Sequence, residues 1–195
     1  MKPIDLAGFA AKFAADADPW RTWTDRDEAV KREAILHALG PGRRGRVLEL
    51  GAGNGSNSRS LAARALRLDA TEGTQEGAQL VARAVANLRG ARALQLVVPA
   101  PPPRSRYDAV IVAELLYYLR VPEMAALARQ VAALLRPGGT LVLAHHRISF
   151  YDFVQHADAI HSRFVQASQA DWRCRVVRRT GRWSVLSLTP VRSTP

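Results

Sequence analysis

The chain has 195 residues, 48% of them apolar, which is enough for one self-sufficient core and short for two. Its lone cysteine, Cys174, excludes an internal disulfide and a thiolate metal cage. The formal charge of +11 raises an acidic polymer as a partner. Apart from the knots "GRRGR" and "RCRVVRR", however, the arginines are scattered and no aromatic residues interleave with them, so nucleic acid is not the expected partner and an anionic small substrate is a better one.

No run of about 18 apolar residues exists to cross a bilayer, and Lys12, Asp16 and Asp18 break the opening stretch too often for a signal peptide. A cytoplasmic location is therefore expected. Residues 25–40 space apolar side chains at 30, 34, 35, 36 and 39, with acids early and Gly40 last, the pattern of an amphipathic helix with a stop. Residues 1–40 are expected to form a helical cap or lid on a single domain. Then "RVLEL" predicts a strand, the glycines of "GAGNGS" a turn and "SRSLAARAL" a helix. A strand over 66–71 and a helix over 75–88 repeat the plan.

A third strand is predicted near 93–98, and four prolines within residues 99–103 then force an exposed loop. "YDAVIVA", 107–113, has the near-continuous apolarity of a strand buried on both faces of a parallel sheet. A helix over 122–135, a break at "RPGG" and a strand over 140–146 follow. Residues 149–169 predict an irregular or helical insertion, and the end of the chain a hairpin about Thr180 and Gly181. The sum is a doubly wound, Rossmann-like α/β fold: a mostly parallel seven-stranded sheet ending in an antiparallel hairpin.

In such a sheet the ligand lies beyond the carboxyl ends of the strands, where the first strand turns into its helix. Gly51, Gly53 and Gly55 fall there, around Ala52. A dinucleotide fingerprint needs its third glycine at position 56, which is Ser56, and a P-loop needs a lysine where Asn57 and Ser58 stand. What remains is a ligand with a cationic centre, consistent with the acid Glu49 just before the turn.

Here the sequence resembles the class I S-adenosylmethionine-dependent methyltransferases, whose first motif is an acid followed by G-x-G-x-G, as in "ELGAGNG". "YDAVIVAE" and "LRPGGTLVLAHH" match two further motifs of that family in the same order. The resemblance implies that the loop backbone packs on the amino-acid half of S-adenosyl-L-methionine, with Glu49 nearby through loop amides or water. It also implies a second acid for the ribose hydroxyls. Glu72 is favoured over Asp69, which falls inside the presumed strand. Glu72 opens a segment with Gly73 and with Thr74 as helix N-cap, and the alternative is that it only helps that cap. No acid follows the third strand to meet the adenine amine, so apolar packing around Val97 and Val98 is expected in its place.

A narrower resemblance runs over most of the chain, to the NodS-like nodulation N-methyltransferases. "DPW" and the helix after it carry over Trp20, Glu28 and Lys31, with Trp20 and Lys31 expected at the cofactor and Asp27 in place of the family's tyrosine. "AELLYYL" is similar to the family's "SEVLYYL", and "HHRISFYDFVQHADAIHSRF" carries over His145, Arg147, Asp158 and His161. His146 replaces a tryptophan and Ala157 a glycine, both close to where an acceptor would lie.

Methyl transfer needs a lone pair aligned on the methyl carbon, and an alkylammonium with a pKa of about 10 has none at neutral pH. Glu114, at the end of the fourth strand and beside the cofactor, is expected to orient the amine, and His145 to accept its proton. Tyr117 and His161 are further candidates for the acceptor side, though Tyr117 and its neighbour Tyr118 also read as packing residues. Trp20 and Trp23 belong to an arm suited to closing over the cofactor. His156 and His161 share no helix face and His145 and His146 point oppositely on a strand, so no metal is expected. The reading is an N-methyltransferase for a small amine or amino sugar. The alternatives are an O-methyltransferase of the same fold and a basic nucleic-acid-binding protein that keeps the cofactor fold.

Overall fold

The computed structural model describes residues 3–191. Two helices, α1 (Leu6–Ala15) and α2 (Arg26–Ala38), precede β1 (Arg44–Leu50), and α3 (Ser56–Ala63), β2 (Ala65–Glu72), α4 (Gln75–Val85) and β3 (Ala91–Gln95) follow. The second half runs β4 (Tyr107–Ala113), a 3₁₀ turn (Leu116–Tyr118), α5 (Val121–Leu134), β5 (Leu135–His146), α6 (Ile160–Ala167), β6 (Trp172–Arg179) and β7 (Trp183–Pro190). The strands form one sheet in the order β3-β2-β1-β4-β5-β7-β6. The first five pair in parallel, and β7 joins β5 and β6 antiparallel.

The chain winds outward from β1 to β3, then returns to lay β4 on the other side of β1. The crevice at that reversal, between the carboxyl ends of β1 and β4, is where such sheets bind ligands. Alternation along the strands fills both faces. Leu48, Leu50, Val110, Val112, Leu141 and Leu143 pack under α5 and α6 with Leu127, Val131 and Phe164. Val47, Ala109, Ile111, Val142 and Ala144 face the other way, onto Ile35 of α2, its C-cap Leu39, Leu61 of α3 and Trp183. This period of two decides where each polar residue in the same strands must point.

Boundaries differ from the sequence expectation where pairing overrides local signal. The strand β5 begins at Leu135, because that residue pairs with Tyr107 before the register shifts around Arg136–Gly139 and resumes at Thr140. The strand β3 stops at Gln95: the Leu96 N–H donates to the Glu72 carbonyl (2.8 Å), and residues 96–98 leave the ladder. Helix α1 starts where the Asp5 carboxylate accepts the Gly8 N–H at 2.9 Å, a cap for an alanine-rich segment whose apolar side turns toward α4.

Candidate functional site

The three loop glycines answer to three different demands. All have positive φ (+65° at Gly51, +60° at Gly53, +83° at Gly55), a region that side chains with a Cβ enter at a cost. A Cβ at Gly55 would lie 2.7 Å from Ala84 Cβ and 3.0 Å from Val81 Cα, so this glycine lets α3 meet α4. A Cβ at Gly51 would press on the Leu115 side chain at 3.1 Å. At Gly53 the nearest atom is Phe13 Cζ at 4.0 Å, so its conformation, together with the space above it, is the reason for glycine. Gly55, expected as a ligand residue, therefore has a packing explanation of its own. Ala52 is buried, and its N–H donates to the Thr71 carbonyl at 2.8 Å, pinning the loop to β2.

Glu72 ends β2 opposite this loop. Its Oε2 accepts the Gly53 N–H (3.1 Å), and its Oε1 accepts the N–H (3.1 Å) and hydroxyl (3.3 Å) of Thr74. Thr74 caps α4 by accepting the Gly77 N–H at 3.1 Å. Burial raises the Glu72 pKa, against the pull of these donors. Asp69 is spent inside the sheet, on Arg92 Nε (2.5 Å) and the Tyr107 hydroxyl (2.9 Å), which explains why it is not the acid at the crevice. Glu49 has the strand parity of Val47 and so faces the helices α2 and α3. Its Oε2 accepts the Ser58 hydroxyl at 2.5 Å rather than the expected loop amides, and burial pushes its pKa up to about 7.

The segment before β1 is tied directly onto the loop. Asp18 Oδ1 accepts from the Thr22 N–H (2.7 Å), the Thr22 hydroxyl (2.8 Å) and Asn54 Nδ2 (2.8 Å), while its Oδ2 accepts the Trp23 N–H (3.0 Å). Phe13 is buried between Gly53 and Gly77, and Leu6 Cδ2 comes within 3.0 Å of a Cβ placed on Gly73. Trp20 packs against Phe9 and Phe13, with ring centroids 5.8 and 5.4 Å away, and Lys12 lies over its face. Asp18, Asn54, Phe13 and Leu6 were missed in the sequence. The signal for Asp18 was "DPW", which drew attention to Trp20 alone. Val98 packs against the core, but Val97 is 45% exposed; Leu96, next to Gly73, is the better-placed apolar residue.

Glu114 sits beyond β4 with φ +51°, unusual for a side chain this long. Its Oε1 meets the Lys31 ammonium, and its Oε2 accepts the Tyr117 hydroxyl and the His146 N–H (3.2 Å). Lys31 is 2% exposed and reaches Glu28 Oε1 as well, at 2.7 Å. Burial pulls the Lys31 pKa down, but Glu114 and Glu28 more than compensate, and the amine stays charged. This ammonium is therefore engaged by carboxylates, a different placement from the expected contact with the cofactor. Tyr117 is buried and stacked on Phe153 at 3.6 Å, which leaves it a packing and anchoring part. His146 carries a buried Nδ1 with no partner among the described residues, and its Nε2 lies 3.9 Å from Glu114 Oε1.

The expected proton acceptor, His145, does not meet the requirement. It shares the parity of Leu143 and points into the α6 face, fully buried. Its Nε2 accepts the N–H groups of Leu115 (3.2 Å) and Leu116 (3.1 Å), so the proton sits on Nδ1 and is donated to His161 Nε2 at 3.0 Å. Burial and the neighbouring His161 hold the His145 pKa well below the usual value, and burial takes His161 down to about 4. The two rings form a neutral strut from α6 to the turn that carries Glu114, with no route to an acceptor. His161 is corrected with it. Of the other residues carried over, Arg147 Nη1 bonds the Thr180 carbonyl (2.5 Å) and the Asp158 carbonyl accepts from Arg163 Nη1 (2.6 Å).

With this geometry in place, residues 22–189 match the methyltransferase domain family. The chain belongs to that family. No curated protein sequence matched. Among solved structures, this methyltransferase-domain chain is similar to the N-methyltransferase NodS from Bradyrhizobium japonicum WM9 in complex with S-adenosyl-L-homocysteine: TM-score 0.82, 17% identity, 96% of this chain and 98% of that one covered. It is also similar to a DhpI–SAH complex (TM-score 0.74, 22% identity, 95% and 94% covered) and to a SAM-dependent methyltransferase from Aquifex aeolicus (0.71, 16%, 93% and 98%). At these identities the likeness establishes the fold. Among the described residues no helix is long and apolar enough to cross a membrane.

Proposed function

We propose that this protein is an S-adenosyl-L-methionine-dependent N-methyltransferase for the amino group of a small molecule or amino sugar. The observation that carries the reading is that the Gly53 backbone, Glu72 and Glu114 stand together at the carboxyl ends of the adjacent strands β1, β2 and β4. The residues fit a nucleoside with an amino-acid tail. Gly51, Ala52 and Gly53 offer a bare backbone, Glu72 Oε2 keeps a lone pair for a hydroxyl, and Gly73, Leu96 and Leu6 enclose an apolar corner for a base. When bound, that cofactor supplies an electrophilic methyl group on sulfur.

The rest falls to the protein's own groups. Phe13 and Trp20, held over the loop by the Asp18–Asn54 tie, exclude water from the crevice, the part of a lid. Glu28 and Glu114 set two carboxylates against the one ammonium of Lys31, so the cluster retains negative charge in a protein that is +11 overall. That favours a cationic acceptor. Glu114, 28% exposed and fixed by Lys31, Tyr117 and the His146 N–H, orients the acceptor ammonium. His146 Nε2, 3.9 Å from Glu114 Oε1, accepts the proton, releasing the nitrogen lone pair. The test is incubation with methyl-labelled cofactor and a panel of amino sugars, alkylamines and matched alcohols, read by mass. One labelled methyl group replacing one hydrogen on amines alone supports the reading; the same exchange on alcohols alone contradicts it.

A further inference from the structure

The opposite edge of the sheet holds a second concavity that methyl transfer does not use. A cleft of about 620 Å³ opens at the amino ends of β1, β2 and β4, lined by Arg43, Arg46, Arg67, Arg89, Arg136 and Asp108. These arginines come from separate turns: 43 and 46 enter β1, 67 lies early in β2, 89 precedes β3 and 136 follows α5. The crevice described above lies at the far end of β1, about 20 Å of strand away.

The charges in this cleft do not balance. Five guanidinium groups face one carboxylate, and that carboxylate is already taken: Asp108 Oδ2 accepts the Arg46 N–H at 2.6 Å, and Oδ1 pairs with Arg136 Nη1 at 3.1 Å. Gly45 is part of this arrangement, since a Cβ there would lie 2.4 Å from Asp108 Oδ2. Arg43 Nη2 bonds the Ala65 carbonyl (2.6 Å) and Arg67 Nη1 the Leu66 carbonyl (3.2 Å), which orients both without neutralising either. The guanidiniums of Arg46 and Arg89 have no hydrogen-bond or ion-pair partner among the described residues. Unpaired like charges gathered in one cavity repel one another, and a polyvalent anion reverses the sign of that energy.

The side chains also say what kind of anion. Guanidinium forks match phosphate oxygens two at a time, and several converging forks select adjacent phosphates over a single one. The volume suits a ligand of nucleotide size. No aromatic side chain lines the cleft, and its one apolar member, Leu66, gives no stacking platform, so bases are not read. We propose that the amino-edge cleft is a binding site for a compact oligophosphate, either inorganic or the di- or triphosphate of a nucleotide. This inference is independent of the methyl-transfer reading.

The experiment is calorimetric titration of the full chain in low salt with inorganic triphosphate, adenosine triphosphate, orthophosphate and a 12-nucleotide single-stranded oligonucleotide, the probe lengths being of roughly one site size. Triphosphate is expected to bind one to one and to weaken as salt rises, with orthophosphate at least about tenfold weaker. Equal affinity for the two triphosphates assigns the inorganic source; tighter binding of the nucleotide assigns the nucleotide. Arg46→Gln with Arg89→Gln is expected to weaken triphosphate at least about tenfold. Neither guanidinium holds a structural contact, so the melting temperature stays at the wild-type value. Each single variant is measured as well, so that a folding defect in the pair does not decide the result. Arg173→Gln with Arg175→Gln removes the same charge from the exposed strand β6 and is expected to change affinity by less than about twofold. The proposal is overturned by absence of binding, by orthophosphate binding as well as triphosphate, by equal losses in the two double variants, or by an oligonucleotide that binds more than about tenfold tighter than triphosphate.

Discussion

The two ends of the same parallel strands carry opposite chemistry. At the carboxyl edge Glu49, Glu72 and Glu114 gather around a glycine loop, although the protein is +11 overall. At the amino edge five arginines share one cleft. A parallel sheet makes this division available, because every strand begins at one edge and ends at the other, so residue choice at strand starts and strand ends tunes the two surfaces separately. The acidic edge suits a cationic donor and acceptor. The basic edge does not.

The contrast can be broken most severely at Gly53. Gly53→Val puts a β-branched side chain at φ +60° and into the space above the loop, and is expected to lower affinity for S-adenosyl-L-homocysteine at least about hundredfold by calorimetry. Glu114→Gln keeps the shape of the acceptor side and removes its charge. It is expected to reduce kcat by about two orders of magnitude, with little change in cofactor affinity. His146→Phe is expected to fall in the same range, whereas His145→Asn is expected to act on thermal stability first. Gly55→Ala sharpens the comparison within the loop: its Cβ meets Ala84 and Val81, so a loss of about 1–3 kcal/mol in stability is expected from urea unfolding, without the selective loss of cofactor expected at Gly53.

A further effect is in pH. His161 is held at about 4 in the folded state against about 6.5 unfolded, so it contributes stability that is lost as pH falls from 6.5 toward 4. Glu49, raised to about 7, acts oppositely: its contribution is full below about 4.5 and is lost as pH rises through 7. Removing one leaves the other visible. Glu49→Gln is expected to stabilise the protein at pH 8 relative to pH 5, and His161→Gln to flatten the fall in stability between pH 6.5 and 4, both read as melting temperatures across pH.

The carboxyl edge was legible in the sequence because its signals are local. An acid, three glycines and a strand-ending Glu72 lie within 24 residues of one another, and the topology follows from alternating strand and helix patterns. His145 was misread because the decisive quantity was the face it occupies. Parity with Leu143 sends it under α6, while His146, its neighbour, turns toward Glu114. The contacts between the N-terminal segment and the glycine loop required knowing that Asp18 meets Asn54, 36 residues away. The basic cleft left one local mark, the knot "GRRGR" with Arg43 and Arg46; Arg67, Arg89 and Arg136 join them only when parallel pairing aligns the strand starts. Scattered charge in a sequence is therefore no guide to scattered charge on a parallel sheet.

The account turns on Gly53, Glu72 and the crevice they share. Calorimetric titration of the wild-type chain with S-adenosyl-L-homocysteine is its most direct test. One-to-one binding that disappears in Gly53→Val, with the variant still folded, is the predicted result. No heat with the wild-type chain, or binding that Gly53→Val leaves intact, contradicts it.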